Sequence, residues 1–525
     1  VIPFWQGRSL RDRTFDLLPE EWHQAFAAGV FTEFMEQRAP GHTVGDGKIF
    51  SKGMLDFKAE IAAAVEDLDI AADPEALAKI DQLEAMDIVV DAAILFAERH
   101  AEKAEQMAAV ESEPQRRAEL ERIAEVCRHV PANAPRDFWE ALQSYWFAHL
   151  GVITELNGWD AYNPGHLDQH LEPFYCGGIG DGSLDREGAR ELLQCLWVKF
   201  NNHPAPPKVG VTAEESGTYT DFANINIGGV RSDGTDAVND VSYLLLEIID
   251  EMHLLKPSNN IQLSRKNPDD FLKAALEVIR KGYGFPSIFN SDAVVEELVR
   301  QGKTVEDARE GGTSGCVETG AFGKEAFILT GYFNLPKMLE LALHDGVDPR
   351  TGAQLGPQTG DPRGFQSFAE IFEAWRTQVR HFIDIKCRGN LVFERMFADW
   401  AQAPFLSLLT DDCIANGRDY NAGGARYNTS YIQGVGIGSL TDSFSVLKHH
   451  IFDDGSLTMA ELVEAIDSDF EGNEALRQRL LNKTPRYGND DDRADDIMIR
   501  CFEAYHETVE GLSLIHISEP TRPKR

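Results

Sequence analysis

Residues 311–320 read Gly-Gly-Thr-Ser-Gly-Cys-Val-Glu-Thr-Gly. Glycine recurs through this stretch, and each glycine gives up side-chain packing for backbone freedom that only a tight or crowded loop requires. The stretch therefore predicts a loop rather than a helix or an ordinary strand. It contains one thiol, Cys316, and one carboxylate, Glu318. Because residues i and i+2 of an extended segment project to the same side, we expect both side chains to face one cavity.

The pairing of Cys316 with Glu318 narrows the chemistry of this loop. A carboxylate opposes thiolate formation, whereas nucleophilic cysteines need a cationic or His-rich setting. The pair is better suited to hydrogen-atom chemistry, in which the sulfur handles an electron and a hydrogen while the carboxylate handles a proton. The alternative interpretation is a buried structural cysteine beside a surface glutamate.

The composition of the 525 residues limits the classes of function. With 43% hydrophobic and 26% charged residues, the chain has the composition of a soluble globular protein. The net charge of −36 leaves no basic surface for phosphate groups, so we expect neither a nucleic-acid partner nor a membrane surface. The cysteines form no CxxC pair, which favours a reducing, cytoplasmic compartment without disulfides or a zinc knuckle.

Periodicity predicts the order of helices and strands. Apolar residues recur at helical spacing over residues 81–130, with a break near 111–114, and again over 368–400. Between residue 236 and the glycine-rich loop, helical patterns alternate with predicted strands at 260–263 and 286–290. Such alternation is typical of a sheet or barrel wrapped by helices, with the chemistry on loops at the strand ends.

Two other patterns resemble metal sites. His166 and His170 are four residues apart, but no third ligand accompanies them, so we interpret them as solvated helix histidines. Residues 453–456, Asp-Asp-Gly-Ser, superficially resemble a calcium loop but lack its alternating acidic ligands. We interpret them as a turn that leads into a helix. The sequence therefore predicts no metal site.

The Gly-Cys-Val-Glu motif at 315–318 resembles the cysteine loop of the glycyl radical enzymes, relatives of pyruvate formate-lyase. Further resemblance extends from Ile-Pro-Phe-Trp at 2–5 to Lys-Thr-Pro-Arg-Tyr-Gly-Asn at 483–489. It implies an α/β fold in which two five-stranded half-sheets form a ten-stranded barrel surrounded by helices, with the cysteine loop threaded through the middle. It also implies that Cys316 becomes a transient thiyl radical.

Within this family the resemblance distinguishes between branches. Pyruvate formate-lyase uses two adjacent cysteines, whereas Cys316 is flanked by Gly315 and Val317, which disfavours acyl transfer to coenzyme A. The Cys-x-Glu form is shared by the dehydratases, choline lyase and some decarboxylases. The resemblance is greatest, over 31–42, 197–226, 312–331 and 423–443, to the branch that dehydrates trans-4-hydroxy-L-proline. It implies a lyase that eliminates water from this substrate to give 1-pyrroline-5-carboxylate.

The same resemblance implies a role for each candidate site residue. Cys316 would abstract hydrogen from the ring carbon next to nitrogen, Glu318 would assist loss of the neighbouring hydroxyl as water, and Asp160 would pair with the ring amine. The residues implied to shape and polarise the substrate pocket are Ser216, Phe222, Tyr332, Phe34 and His42. Structural alternatives stay open, since the two phenylalanines fit a plain hydrophobic core and the histidine fits a loop hydrogen bond.

The resemblance also implies how the radical is supplied. It implies that no cofactor is bound directly and that a radical S-adenosylmethionine activating enzyme installs a glycyl radical. The expected partners are therefore this enzyme and the small-molecule substrate. A homodimer is left open. The pattern Arg-Val-x-Gly-Tyr that carries the radical glycine does not occur in this sequence. We therefore expect a chain truncated at both ends, with one catalytic domain at 1–511 and a non-native tail at 512–525.

Two other functions stay open. Another glycyl radical eliminase, such as a glycerol or propanediol dehydratase or a choline lyase, would share Cys316 and Glu318 but differ at Asp160, Ser216 and Phe222. A non-catalytic paralogue would use the barrel only to hold a ligand, and the full-length protein would then lack the radical glycine.

Overall fold

The structure is a computed structural model that describes residues 7–33, 43–156, 161–202, 223–315 and 317–512. These residues form two compact units. The first unit consists of residues 7–33, 329–396 and 431–512, and the second consists of 43–156, 161–202, 223–315, 317–328 and 397–430. The predicted single domain at 1–511 stays a prediction, and most of the predicted tail, residues 513–525, lies outside the described ranges.

The elements up to residue 202 are mostly helical. They are α1 (Leu10–Leu17), α2 (Glu20–Ala27), β1 (Thr43–Val44), α3 (Lys48–Ser51), α4 (Met54–Glu66), α5 (Ala76–Val110), α6 (Pro114–His129), α7 (Phe138–Glu155), β2 (Tyr162–Asn163), α8 (Leu167–Asp181) and α9 (Arg186–Asn202). The two helices predicted within 81–130 are α5 and α6. They are separate because the Glu113 carboxylate accepts hydrogen bonds from the backbone of Gln115 and Arg116, and Pro114 opens the second helix.

Strands and helices alternate from residue 223 to residue 343. They are β3 (Asn224–Gly228), α10 (Asp240–Met252), β4 (Ser258–Leu263), α11 (Asp269–Ile279), β5 (Ser287–Asn290), α12 (Ser291–Arg300), α13 (Val305–Arg309), β6 (Gly312–Ser314), β7 (Glu318–Gly320), β8 (Glu325–Asn334) and α14 (Leu335–Leu343). This order confirms the predicted alternation. The ten-residue strand β8 was not predicted, because its apolar run lacks the period-two pattern of a half-buried strand.

The remaining elements lead to residue 512. They are α15 (Phe368–Trp400), α16 (Pro404–Leu408), α17 (Cys413–Asn416), β9 (Tyr427–Val435), α18 (Ile437–Val446), a π-helix (Leu447–Asp453), α19 (Met459–Asp467), α20 (Glu474–Lys483) and α21 (Asp492–Val509). Helix α15 has the bounds predicted for it. The turn at 453–456 does lead into a helix, since α19 follows with Thr458 as its N-cap. Within the described ranges, no helix is long and apolar enough to cross a membrane.

The described strands pair in four small sheets. Strands β3, β4 and β5 form a parallel sheet in that order, β1 and β2 form a parallel pair, β6 and β7 form an antiparallel hairpin, and β8 pairs with β9. The β3–β4–β5 sheet belongs to the second unit and places Ile225, Ile227 and Ile261 in its core, all fully buried. Buried residues of α7 and α10 belong to the same core. The described strands do not by themselves form a closed ten-stranded barrel.

Candidate active site

The cysteine loop is a β-hairpin. Strands β6 and β7 pair antiparallel, with Gly312 opposite Gly320 and Ser314 opposite Glu318, so the chain reverses direction between Ser314 and Glu318. Gly315, at the start of the turn, has a positive φ of 51°, a conformation that favours glycine. The prediction that residues 311–320 form a loop without strands is therefore wrong. The predicted orientation of Cys316 and Glu318 toward one cavity stays a prediction, because Cys316 lies outside the described residues.

The glycines before the turn permit close packing rather than flexibility. A Cβ atom on Gly311 would lie 2.4 Å from the carbonyl oxygen of Gly320, and one on Gly312 would lie 2.8 Å from the ring of Phe322 and 2.9 Å from Oδ1 of Asn226. These distances are shorter than van der Waals contact, so no larger residue fits without displacement. This crowding explains why a glycine-rich stretch forms ordered strands.

We expect Gly312→Ala to lower the free energy of unfolding by about 1–3 kcal/mol, the usual cost of overpacking a buried site. Urea titration of the purified chain measures this. Gly177→Ala is the matched control, because a Cβ atom on Gly177 in α8 meets nothing within 4 Å and alanine favours helix. A Gly312 variant as stable as this control would contradict the close packing.

Four carboxamide side chains hold β6 against the β3–β4–β5 sheet. We call Asn224, Asn226, Asn260 and Gln262 the carboxamide frame. Nδ2 of Asn224 donates to the carbonyl of Gly315 at 2.7 Å, and Nδ2 of Asn226 donates to the carbonyl of Thr313 at 2.8 Å. Nδ2 of Asn260 and Nε2 of Gln262 donate to the Thr313 hydroxyl at 2.8 and 2.7 Å.

Every amide of the frame is buried, so its orientation matters for stability. Gln262 Nε2 donates to Oδ1 of Asn226 at 2.7 Å, and the same oxygen accepts the backbone N–H of Thr313 at 3.2 Å. Both ends of the Asn226 amide are therefore engaged, which excludes the flipped orientation because it would place donors against donors. Buried polar groups satisfied in this way specify one arrangement of the hairpin.

The frame follows from strand periodicity. In β3, Asn224 and Asn226 alternate with isoleucines that enter the core, and in β4 Asn260 and Gln262 lie on either side of Ile261. Successive side chains of a strand point to opposite faces, so each strand presents its amides to the hairpin and its isoleucines to the core. The alternation of amide and isoleucine was the available sequence signal for this face.

His166 and His170 are part of this region and not solvated, so that interpretation is wrong. His166 is buried, and its Nε2 lies 2.9 Å from the carbonyl oxygen of Gly311. The ring of His170 stacks on Phe50 with centroids 5.3 Å apart. Burial lowers the pKa of His166, and burial together with His166 lowers the pKa of His170 to about 3. Both rings are therefore neutral near pH 7, and His166 donates its Nε2 proton to the hairpin.

Charged side chains fasten both ends of the hairpin. Lys324, after β7, pairs with Glu310, before β6, at 2.7 Å. The buried carboxylate of Glu325 accepts the backbone N–H of Ala321 at 2.8 Å and pairs with Lys303 at 3.0 Å. Paired charges therefore hold the two ends of the hairpin together.

Of the predicted site residues, the structure describes two. Glu318 begins β7 and is 8% exposed, and its Oε2 accepts the backbone N–H of Val317 at 3.0 Å. Tyr332 lies in β8 of the first unit, half-buried, where its backbone N–H donates to the Thr32 hydroxyl at 3.0 Å. The predicted residues that lie outside the described ranges are Cys316, Asp160, Ser216, Phe222, Phe34 and His42. Their convergence on one pocket stays a prediction.

Glu318 thus provides a buried carboxylate on the hairpin, two residues after Cys316 in the sequence. Comparison with known protein families identifies the family of the chain. A family model described as pyruvate formate lyase-like matches residues 1–522. The chain belongs to the pyruvate formate lyase-like family.

Individual family members show the extent of the similarity. The chain is 55% identical over 511 residues to trans-4-hydroxy-L-proline dehydratase of Clostridioides difficile, which covers 97% of this chain and 65% of that protein. The crystal structure of hydroxyproline dehydratase from Clostridioides difficile with bound trans-4-hydroxy-L-proline matches with a TM-score of 0.95 at 54% identity, over 99% of this chain and 66% of that one. A glycerol-bound B12-independent glycerol dehydratase from Clostridium butyricum matches with a TM-score of 0.89 at 32% identity, over 98% and 65%.

These similarities confirm two predictions, the glycyl radical enzyme family and its α/β fold. The chain spans 65% of the length of the curated dehydratase that it matches. The activity, substrate and partners of the whole protein are therefore matters for proposal.

Proposed function

We propose that this chain carries the catalytic cysteine and substrate site of a radical dehydratase that converts trans-4-hydroxy-L-proline to 1-pyrroline-5-carboxylate. One observation carries the proposal: a buried carboxylate, Glu318, two residues after Cys316 in the sequence of a chain 54% identical to a hydroxyproline dehydratase crystallised with its substrate. Proton transfer beside a hydrogen-abstracting sulfur is what an elimination of water requires.

The reaction begins at the sulfur of Cys316. As a thiyl radical, Sγ takes a hydrogen atom from C5, the ring carbon next to nitrogen, so that an S–H bond forms as the C–H bond breaks. The unpaired electron then resides on C5, adjacent to the carbon that bears the hydroxyl. The hydrogen bonds that the carboxamide frame donates to the hairpin favour this step, because abstraction requires the sulfur within contact distance of one particular hydrogen.

Glu318 moves the protons. Its carboxyl group donates a proton to the C4 hydroxyl, which leaves as water, and the resulting carboxylate takes one proton from the ring ammonium, whose freed lone pair forms the C=N bond of a protonated imine. The unpaired electron is then on C4, which takes the hydrogen atom back from the Cys316 thiol. The sum is loss of one water, with the thiyl radical and the carboxyl group both restored.

Recognition of a cyclic amino acid requires more than this pair. The substrate carries a cation and a carboxylate, so its pocket needs an acid near the amine and hydroxyl or amide donors near the carboxylate. We assign the first role to Asp160 and the second to the segment that contains Ser216, with Phe34, His42, Phe222 and Tyr332 shaping the pocket. A simple diol needs neither charged partner.

The radical must be supplied to the sulfur from elsewhere. In this proposal a radical S-adenosylmethionine activating enzyme installs a glycyl radical on the full-length protein, and no other cofactor takes part.

The test compares substrates in the full-length protein after anaerobic activation. We expect conversion of trans-4-hydroxy-L-proline to 1-pyrroline-5-carboxylate, with a kcat/KM higher than the kcat/KM for glycerol, 1,2-propanediol or choline. Asp160→Asn should lower kcat/KM for hydroxyproline by roughly 10- to 10³-fold, the cost of removing one partner of a buried charge pair. Ser216→Ala should also lower it, whereas Ser183→Ala, in an exposed turn, should not. Preferred turnover of a diol or of choline would overturn the substrate and leave the radical mechanism.

A further inference from the structure

A cluster of potential metal ligands lies in the first unit, in a part of the chain to which the proposed dehydration assigns no role. His449, His450 and Asp454 place their ligand atoms within 4.8 Å of one another. Oδ2 of Asp454 is 3.9 Å from Nε2 of His449 and 3.9 Å from Nδ1 of His450. Two imidazoles and one carboxylate are a donor set that suits first-row transition metals rather than calcium or magnesium.

The backbone explains how neighbouring histidines converge. Residues 447–453 form a π-helix, and the N–H of Asp454 donates to the carbonyl of His449, five residues earlier, at 3.0 Å. Adjacent residues of an α-helix diverge by about 100°, whereas the wider π turn changes where side chains project and is frequent at functional sites. Here the two rings lie 4.7 Å apart at 75° to each other, and both approach Asp454.

Thr484 determines which nitrogen of His450 carries the proton. The Thr484 hydroxyl donates to the carbonyl of Leu480 at 2.6 Å, so it can only accept from Nε2 of His450, which lies 3.0 Å away. Nδ1 of His450 therefore keeps its lone pair, and it faces Asp454 and Ser456. A hydrogen bond from the far nitrogen is the usual way in which a metal-binding imidazole is oriented. The His450 side chain is only 3% exposed, so this orientation is held by packing.

The third ligand is oriented in a similar way. Oδ1 of Asp454 accepts the backbone N–H of Ser456 at 2.8 Å, which directs Oδ2 toward the histidines. The Asp454 side chain is 42% exposed, so an ion has access from solvent. Of the nearby cations, Lys448 pairs with Asp453 at 2.7 Å, and Arg479 donates to the carbonyl of Ser456 beside the cluster.

We propose that Nε2 of His449, Nδ1 of His450 and Oδ2 of Asp454 bind a divalent first-row transition ion, with Zn²⁺ as the test ion and solvent at the remaining position. Tetrahedral bonds of about 2.0–2.1 Å place ligand atoms roughly 3.4 Å apart. Each imidazole must therefore move about 0.5 Å closer to the carboxylate, and the two imidazole nitrogens, which lie within 4.8 Å of one another, must also come to this separation. The ion would link the π-helix to the turn before α19, and through Thr484 to the end of α20. Its role is structural, and it does not depend on the proposed dehydration.

The test uses Zn²⁺ titration by calorimetry on the chain as it exists, with Co²⁺ absorption as a second probe. We expect one site with a dissociation constant below about 10 μM. His449→Ala and Asp454→Asn should each weaken binding at this site by at least ~10-fold, and Thr484→Val, which leaves all three ligands in place, should weaken it roughly 10- to 100-fold. His100→Ala, which removes an exposed histidine of α5, should leave binding unchanged.

Circular dichroism of each variant establishes that the fold is retained, and a bound ion should raise the midpoint of thermal unfolding of the wild-type chain. Lack of Zn²⁺ binding by the wild-type chain would overturn the proposal. So would unchanged binding in both the His449 and the Asp454 variants, because the ion would then bind elsewhere.

Discussion

Cys316→Ser is expected to abolish hydroxyproline turnover in the full-length, anaerobically activated protein. The O–H bond of serine is stronger than the S–H bond of cysteine, so an alkoxyl radical cannot form at this position from a carbon-centred one. Glu318→Gln should lower kcat by roughly 10²- to 10⁴-fold, the usual contribution of a positioned acid–base group. The two variants separate hydrogen abstraction from proton transfer. Product formation, followed by chromatography, measures both.

Binding measurements distinguish loss of chemistry from loss of fold. Both variants should still be stabilised against heat by hydroxyproline, because neither change removes the proposed contacts with the amine and carboxylate. Glu503→Gln, an exposed change on α21, should keep full activity. Turnover by Cys316→Ser near the wild-type rate would contradict the radical mechanism, and an unchanged kcat in Glu318→Gln would remove the carboxylate from it.

Lys386→Met is expected to change how stability depends on pH. Lys386 lies in the first unit, fully buried, where Nζ donates to the carbonyl of Thr330 at 2.6 Å and lies 5.5 and 5.7 Å from the ring centroids of Phe31 and Phe393. Burial lowers its pKa to about 7, and Glu33 only partly opposes this. In the unfolded chain the pKa returns to about 10.4.

The sign of the effect follows from proton binding. Between the folded and unfolded pKa values the unfolded chain holds a proton that the folded chain lacks, so stability rises as pH rises from about 7 to 10.4. Below about pH 7 both states are protonated, and the cost of burying the charge is fully present. We therefore expect the wild-type chain to gain about 2–3 kcal/mol relative to Lys386→Met between pH 6 and pH 9.

Urea unfolding of both proteins at several pH values measures this difference. Lys483→Met is the matched control, because Lys483 is exposed at the end of α20; its stability relative to the wild-type chain should not change with pH over the same range. A difference between wild type and Lys386→Met that stays constant from pH 6 to pH 9 would show that the buried lysine keeps its ordinary pKa.

Long periodic segments were predictable from sequence, whereas small structural details were not. Helical spacing identified α5, α6 and α15, because a long amphipathic helix repeats its pattern many times. The alternation of strands and helices before the hairpin was also predictable, because short apolar runs lie between turn residues there. The family, and with it the fold class, followed from the motif around Cys316 and the resemblance along the chain.

The construction of the hairpin was not predictable from the sequence. Glycine content indicated backbone freedom at 311–320, yet two of the glycines permit close contacts within a strand pair, which composition does not distinguish. The burial of His166 and His170 was missed because spacing along a helix does not tell which face is covered. The π-helix was missed because no residue pattern marks it.

Strand β6 has an edge that is closed by side chains instead of by a neighbouring strand. The carbonyl groups of Gly311, Thr313 and Gly315 accept hydrogen bonds from His166, Asn226 and Asn224, and the Asn226 amide also accepts the N–H of Thr313. Asn226 thus substitutes for a peptide group of a missing strand, and the edge cannot recruit another chain. A backbone partner has a fixed reach, but a side-chain partner can be lengthened or shortened by one methylene group. The position of the hairpin relative to the sheet can therefore be adjusted by substitutions in the sheet, without any change in the sequence of the hairpin.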